Sequence, residues 1–135
     1  MLRYILDTNI LIYTIKNKPE AVRQRFEQHH GEMCTSAVTA MELLYGAHKS
    51  QSVRRNLDAI EGLLARLDVL DFDISAAEHA GEIRATLARN GMPIGPYDIM
   101  IAGHARSRGL TLVTNNMSEF ERVSGLRLEN WTAPQ

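Results

Sequence analysis

Residues 4–13 read "YILDTNILIY", and the reading of this stretch decides the fold. "RYIL" (3–6) is a run of strand-forming apolar residues without polar alternation. That is the pattern of a strand buried on both faces, as in a parallel sheet covered by helices. Asp7 interrupts the run, and apolar residues then resume with helical spacing over 8–16. A carboxylate at that junction has two readings. It can cap the next helix by accepting backbone N–H bonds, a role worth ~1 kcal/mol. It can also be the first piece of a metal site, and the rest of the chain has to decide.

The bulk numbers narrow the field. A chain of 135 residues with 44% hydrophobic and 23% charged residues fits one compact domain, 1–135, and excludes a disordered segment. No apolar run approaches the ~20 residues that span a bilayer, and Met1-Leu2-Arg3 opens no signal-peptide pattern. A soluble, cytoplasmic protein is the expectation. The single cysteine, Cys34 in "EMCTSAV", cannot form an internal disulfide and reads as a small core residue. The net charge of −1 gives no global attraction to nucleic acid, so any such contact needs a local basic face.

Apolar spacing predicts helices at 8–16 and about 19–29, separated by Lys18-Pro19. A strand follows at 32–36, then a helix with Val38, Met41 and Tyr45 on its apolar face, ending at Gly46 or beyond. Val53, Leu57, Ile60, Leu64 and Leu67 mark a fourth helix, and "DVLDF" (68–72) a third strand. Ala76, Ala80, Ile83 and Leu87 mark a helix that stops at Asn90-Gly91. Pro96 suits the first position of the helix "YDIMIAGHARSR". "LTLVT" (110–114) is a fourth strand and "LRLENW" (126–131) a possible edge strand. Alternating strands and helices predict an α/β fold with a mostly parallel sheet and helices on both faces.

Four acids stand out, and each has a local excuse. Asp7 can be an N-cap. Glu42 completes a capping box with Thr39, although on the wheel it shares the face of Val38 and Tyr45, where an unpaired carboxylate is costly. Asp98 suits the first turn of its helix, where the dipole favours an anion, yet it lies on the face of Ile101, Ala102 and Ala105. Glu119 can begin a short helix capped by Asn116 or Ser118. Thr114, Asn115 and Asn116 form a polar elbow at the end of strand four.

As a set the excuses fail. All four fall beyond strand C-termini or early on helices packed against the sheet, the edge where open α/β sheets bind ligands. Two like charges ~4 Å apart repel by about 4 kcal/mol at an effective dielectric near 20. A divalent cation relieves that repulsion, and oxygen donors without His or Cys suit Mg²⁺ or Mn²⁺ over Zn²⁺. The five histidines lack ligand spacing: His29-His30 read as a solvated loop, and His48, His79 and His104 as scattered helix residues.

These residues carry a resemblance. "ILDTNILIY", "SAVTAMELLYGA", "IGPYDIMIAGHARSRGLTLVTNN" and "EFERVSGLRLENW" resemble the PIN-domain endoribonucleases, and within them the VapC toxins of bacterial VapBC toxin–antitoxin pairs. The resemblance covers nearly the whole chain. It implies a PIN-like three-layer α/β/α fold with a four- to five-stranded sheet. It makes Asp7, Glu42 and Asp98 the acidic core that holds Mg²⁺ or Mn²⁺ for phosphodiester hydrolysis. The family's fourth acid follows the last core strand. Here Asn116 stands where many relatives have Asp, and Glu119 is the nearest carboxylate and the favoured fourth ligand. Asn9, Thr114 and Asn116 are then expected to orient ligands or water.

Basic candidates for RNA contact are Lys16, Lys18, Arg84, Arg89, Arg106 and Arg108, densest in "HARSR" (104–108). The resemblance further implies a structured RNA target, with initiator tRNA as the closest suggestion. It implies a homodimer and a cognate VapB-type antitoxin, with a higher oligomer in that complex and operator DNA reached only through the antitoxin. The stripe Val53, Leu57, Ile60 and Leu64 is either part of an antitoxin groove or ordinary helix packing. Two rivals remain: a catalytically silent PIN-like module that binds a partner or DNA, and a phosphatase or phosphotransferase with Asp7 as nucleophile. The first has no reason to keep clustered charge, and the second wants an Asp at position 9, where this chain has Asn9.

Overall fold

The computed structural model describes residues 1–132. Five strands, β1 (Tyr4–Leu6), β2 (Met33–Ser36), β3 (Asp68–Leu70), β4 (Thr111–Val113) and β5 (Leu128–Glu129), form one sheet in the order β3-β2-β1-β4-β5. Every pairing is parallel. The connections supply seven helices among the described residues: α1 (Thr8–Lys16), α2 (Glu20–Gln28), α3 (Ala37–His48), α4 (Val53–Leu64), α5 (Ile74–Arg89), α6 (Pro96–Arg108) and α7 (Met117–Phe120). A parallel pair needs a crossover, and helices are what a crossover of this length forms.

The unbroken apolar run of β1 is explained by its two covered faces. Ile5, Cys34 and Leu112 point to a core shared with α5 and α6, while Tyr4, Leu6, Met33 and Val113 point to a second core under α1, α2, α3 and α4. Burial of Cys34 pushes its thiol up to about 12, so it stays protonated. The resulting α/β/α sandwich matches the expected architecture, with the fifth strand realised as a short parallel edge.

Three local expectations are corrected. The buried face of α3 is Val38, Thr39, Leu43 and Ala47, and Met41 and Tyr45 are exposed. The capping box is displaced: Ser36 caps α3 by accepting from the Val38 N–H, which puts Thr39 inside the helix and frees Glu42 from a capping role. His29 is not a solvated loop residue. It closes α2, stacks on Trp131 at 5.2 Å between ring centroids and bonds Glu32 at 3.0 Å.

Helices α5 and α6 cross without a gap at Gly103. A Cβ there would lie 2.6 Å from the Ala80 backbone nitrogen, closer than any real contact. Because the obstacle is backbone, no side-chain shift relieves it. Gly103→Ala should cost about 1–3 kcal/mol, as overpacked core sites do, read as a lower denaturant midpoint, and adding Ala80→Gly should not restore it.

Candidate active site

The strand order reverses direction between β1 and β4, one leading to β2 and β3, the other to β5. At such a switch point the two outgoing loops part and leave a crevice beyond the strand C-termini. Asp7 follows β1 and Thr114 follows β4, so these two residues face each other across it. Asp7 is 6% exposed. Its Oδ1 accepts from the Ile10 N–H at 3.0 Å, making it the N-cap of α1, and its Oδ2 accepts from the Thr114 hydroxyl at 2.5 Å. The capping reading of Asp7 holds: one oxygen caps α1, and the other is bound by Thr114 across the crevice.

Glu42 reaches the same place from the second turn of α3. Its Oε1 accepts from the Thr8 hydroxyl at 2.6 Å. Thr8 was not among the expected site residues, although "DTN" displays it beside Asp7; its role depends on α3 passing over α1, which spacing along one chain does not reveal. Asp98 stands in the first turn of α6 and is partly buried. Glu119, in α7, lies close enough to Asp98 to raise its proton affinity and takes a 2.8 Å bond from Asn116 Nδ2. Asn116 thus orients Glu119, and its own backbone N–H donates to Thr114 Oγ1 at 3.0 Å. Asn9 contributes a backbone N–H toward Asp7, while its side chain is exposed.

The electrostatics follow from this convergence. Asp7 is raised from 3.8 to about 6, chiefly by burial and further by the charge of Glu42, against the lowering effect of Thr114 and the Ile10 N–H. Asp98 is also raised to about 6, by burial first, then by Glu119, Glu42 and Asp7. None of the ion pairs among the described residues engages any of the four acids. Nor, among the described residues, do three or more carboxylate, imidazole or thiolate groups already form a closed cage for a metal ion. Glu119, Glu42 and Asp7 all lie near enough to Asp98 to raise its proton affinity. Their donor chemistry, all oxygen and no counter-charge, fits a hard divalent cation.

The basic candidates separate. Lys16 lies beside Glu42 on a groove lined also by Ile12, Ile15, Gly46, Asn56 and Ile60. Lys18, Arg84, Arg89 and Arg108 are exposed. Arg106 is committed elsewhere: it donates to His79 Nδ1, Glu82 and the Ser124 carbonyl, at the end of α6 remote from Asp98. The cluster "HARSR" is thus split, with His104 buried and bonded to Ser36 Oγ at 2.8 Å.

The raised carboxyls imply a pH dependence of stability. A folded-state pKa above the unfolded value means the fold holds the proton more tightly, so the contribution is fully present below about 4 and is lost as pH rises toward 6. For buried Asp7 the displacement from 3.8 to about 6 corresponds to about 3 kcal/mol. Without divalent ions, Asp7→Asn protein should be more stable than wild type at pH 7. Its stability should fall less between pH 4 and 6. Denaturant titrations across that range measure both.

Known proteins resemble this chain over nearly its whole length. The PIN domain family matches residues 4–126. The chain is 64% identical to the tRNA(fMet)-specific endonuclease VapC of Shigella flexneri over 98% of its length and 100% of that protein. It is 53% identical to ribonuclease VapC2 of Haemophilus influenzae, covering 97% and 99%. Among solved structures, DNA-bound VapBC from Salmonella typhimurium superposes with a TM-score of 0.93 at 60% identity, covering 97% of this chain and 99% of that one. A family match across nearly the whole chain and identities of this size leave one assignment: the chain belongs to the PIN-domain family and, within it, to the VapC proteins.

Proposed function

We propose that this VapC chain is the toxin of a toxin–antitoxin pair and a Mg²⁺- or Mn²⁺-dependent endoribonuclease that hydrolyses a phosphodiester bond of initiator tRNA in its anticodon region. The observation that carries the reading is Asp7, buried at the switch point, with Glu42, Asp7 and Glu119 all near Asp98 and, among the described residues, no ion pair to any of the four. The relatives' names, specific for tRNA(fMet) in Shigella flexneri and Salmonella typhimurium, support the substrate.

Asp7, Glu42, Asp98 and Glu119 would hold the cation. Once bound it supplies an activated water nucleophile at neutral pH and neutralises charge on the phosphate. The chain's own groups have distinct tasks. Thr114 and the Ile10 N–H lock the Asp7 carboxylate, Thr8 locks Glu42, and Asn116 locks Glu119. Asp98, at the first turn of α6, is the carboxylate assigned here to accept a proton from the attacking water.

Lys16, the last residue of α1, lines the groove that reaches Glu42 and is the basic group best situated for the RNA backbone, with exposed Lys18, Arg84 and Arg108 as further candidates. Arg106 is withdrawn from that role by its bonds to His79 and Glu82. The groove of about 300 Å³ between α1, α3 and α4 runs up to Glu42 and suits a segment of a VapB-type antitoxin. Its α4 wall is Asn56, Ala59 and Ile60, whereas Leu57 and Leu64 pack into the core. The solved VapBC assemblies of relatives, two of them on DNA, support that partner and DNA binding by the complex. No helix among the described residues can cross a membrane, which supports action on RNA in the cytoplasm.

Brief expression followed by sequencing of RNA ends should reveal one new cut in initiator tRNA with wild type and none with Asp7→Asn. In purified form, activity should require Mg²⁺ or Mn²⁺ and vanish on chelation. Thr114→Val should lower it about 10- to 100-fold, the usual cost of losing a group that orients a ligand. Cleavage by chelated wild type at the full rate would refute the metal requirement, and ends confined to ribosomal RNA would replace the substrate.

A further inference from the structure

Two large aromatic side chains are left in solvent beside the acids. Tyr45 is 62% exposed on α3, one turn after Glu42. Tyr97 is 47% exposed at the start of α6, adjacent to Asp98. Residues three apart on a helix are surface neighbours, so Tyr45 flanks Glu42 directly. Neither tyrosine belongs to the two cores. Lys49 Nζ lies 4.9 Å from the Tyr45 ring centroid, a cation–π contact that covers part of the ring and brings positive charge to an acidic mouth. Met41, also exposed and one turn before Tyr45, extends the same face.

Resting on the endoribonuclease reading above, we propose that Tyr45 and Tyr97 are stacking platforms for unpaired bases of the RNA on either side of the cleaved bond, with Lys49 contacting a phosphate beside Tyr45. Single-stranded loops are recognised by splaying bases onto aromatic rings, and stacking tolerates any base. Such an arrangement answers a difficulty of this site. Four carboxylates repel the RNA backbone, and a net charge of −1 gives no overall attraction to offset them. Stacking supplies affinity that does not depend on charge. It also requires the target to be unpaired at the cut, which favours a loop over a duplex.

The test is steady-state cleavage of an initiator-tRNA anticodon stem–loop by wild type, Tyr45→Ala, Tyr97→Ala and the corresponding Phe variants. Loss of one stacked base should raise KM roughly tenfold with kcat changed far less, and Phe, which keeps the ring, should restore most of the affinity. Replacing single nucleotides beside the cut by abasic ones should raise KM for wild type and add nothing further to the matching Ala variant. Unchanged KM in both Ala variants, or penalties that simply add on abasic RNA, would overturn the proposal. A changed oligomeric state in sedimentation with KM intact would also overturn it, assigning this face to a second copy of the chain. Should wild type cleave nothing, the activity reading fails by itself. Fluorescence anisotropy of the same stem–loop with Asp7→Asn protein, with and without each Ala change, still decides on the tyrosines.

Discussion

A carboxylate with almost no exposure and no cationic partner is the constraint around which this molecule is arranged. Asp7 sits where β1 ends and the sheet reverses direction, and the fold meets its charge only with dipoles, one backbone N–H and one hydroxyl. An isolated buried charge costs far more than such donors return, which is why its proton affinity rises. The neighbouring acids make the position worse. A structure that concentrates negative charge at one edge, with no ion pair to any of the four acids among the described residues, suits a cation.

The surrounding architecture explains why that edge and no other. All strands are parallel, so all their C-termini meet on one side, and helix N-termini follow them there. Asp7, Glu42, Asp98 and Glu119 come from the starts of four different helices, α1, α3, α6 and α7. Asp7 and Glu42 are each set by a hydroxyl from another segment, Thr114 and Thr8, and Glu119 by the amide of Asn116 at the cap of its own helix. The rigid α5–α6 crossing at Gly103 and the Ser36–His104 bond tie α6 to its neighbours, so Asp98 is held by packing far from the chemistry.

Much of this was legible before any coordinates. The continuous apolar run of "YIL" announced a doubly covered parallel strand, and Asn90-Gly91 and Pro96 marked helix limits now seen at Arg89 and Pro96. Glu42 and Asp98 were recognisable because each combined a helix-start position with a core-facing one. What stayed hidden depends on contacts between segments. The wheel of α3 was rotated in the reading because Met41 and Tyr45 look like core residues, whereas the buried stripe is the less apolar Thr39, Leu43 and Ala47. Thr8 acquires meaning only when α3 lies across α1. Arg106 looked like part of a basic cluster, and only its distant partners His79, Glu82 and Ser124 reveal it as a clasp. Local patterns carry element type; pairings such as Asp7 with Thr114, 107 residues apart, do not.

The central claim is that these carboxylates are poised, partly protonated and uncompensated, for a divalent ion. Calorimetric titration with Mn²⁺ at pH 6, in buffers of different ionisation enthalpy, measures it most directly. The account predicts binding accompanied by proton release that shrinks toward zero by pH 8, because the ion displaces protons held by Asp7 and Asp98 near their pKa of about 6. Absence of binding, or binding with the same proton count at both pH values, would contradict it.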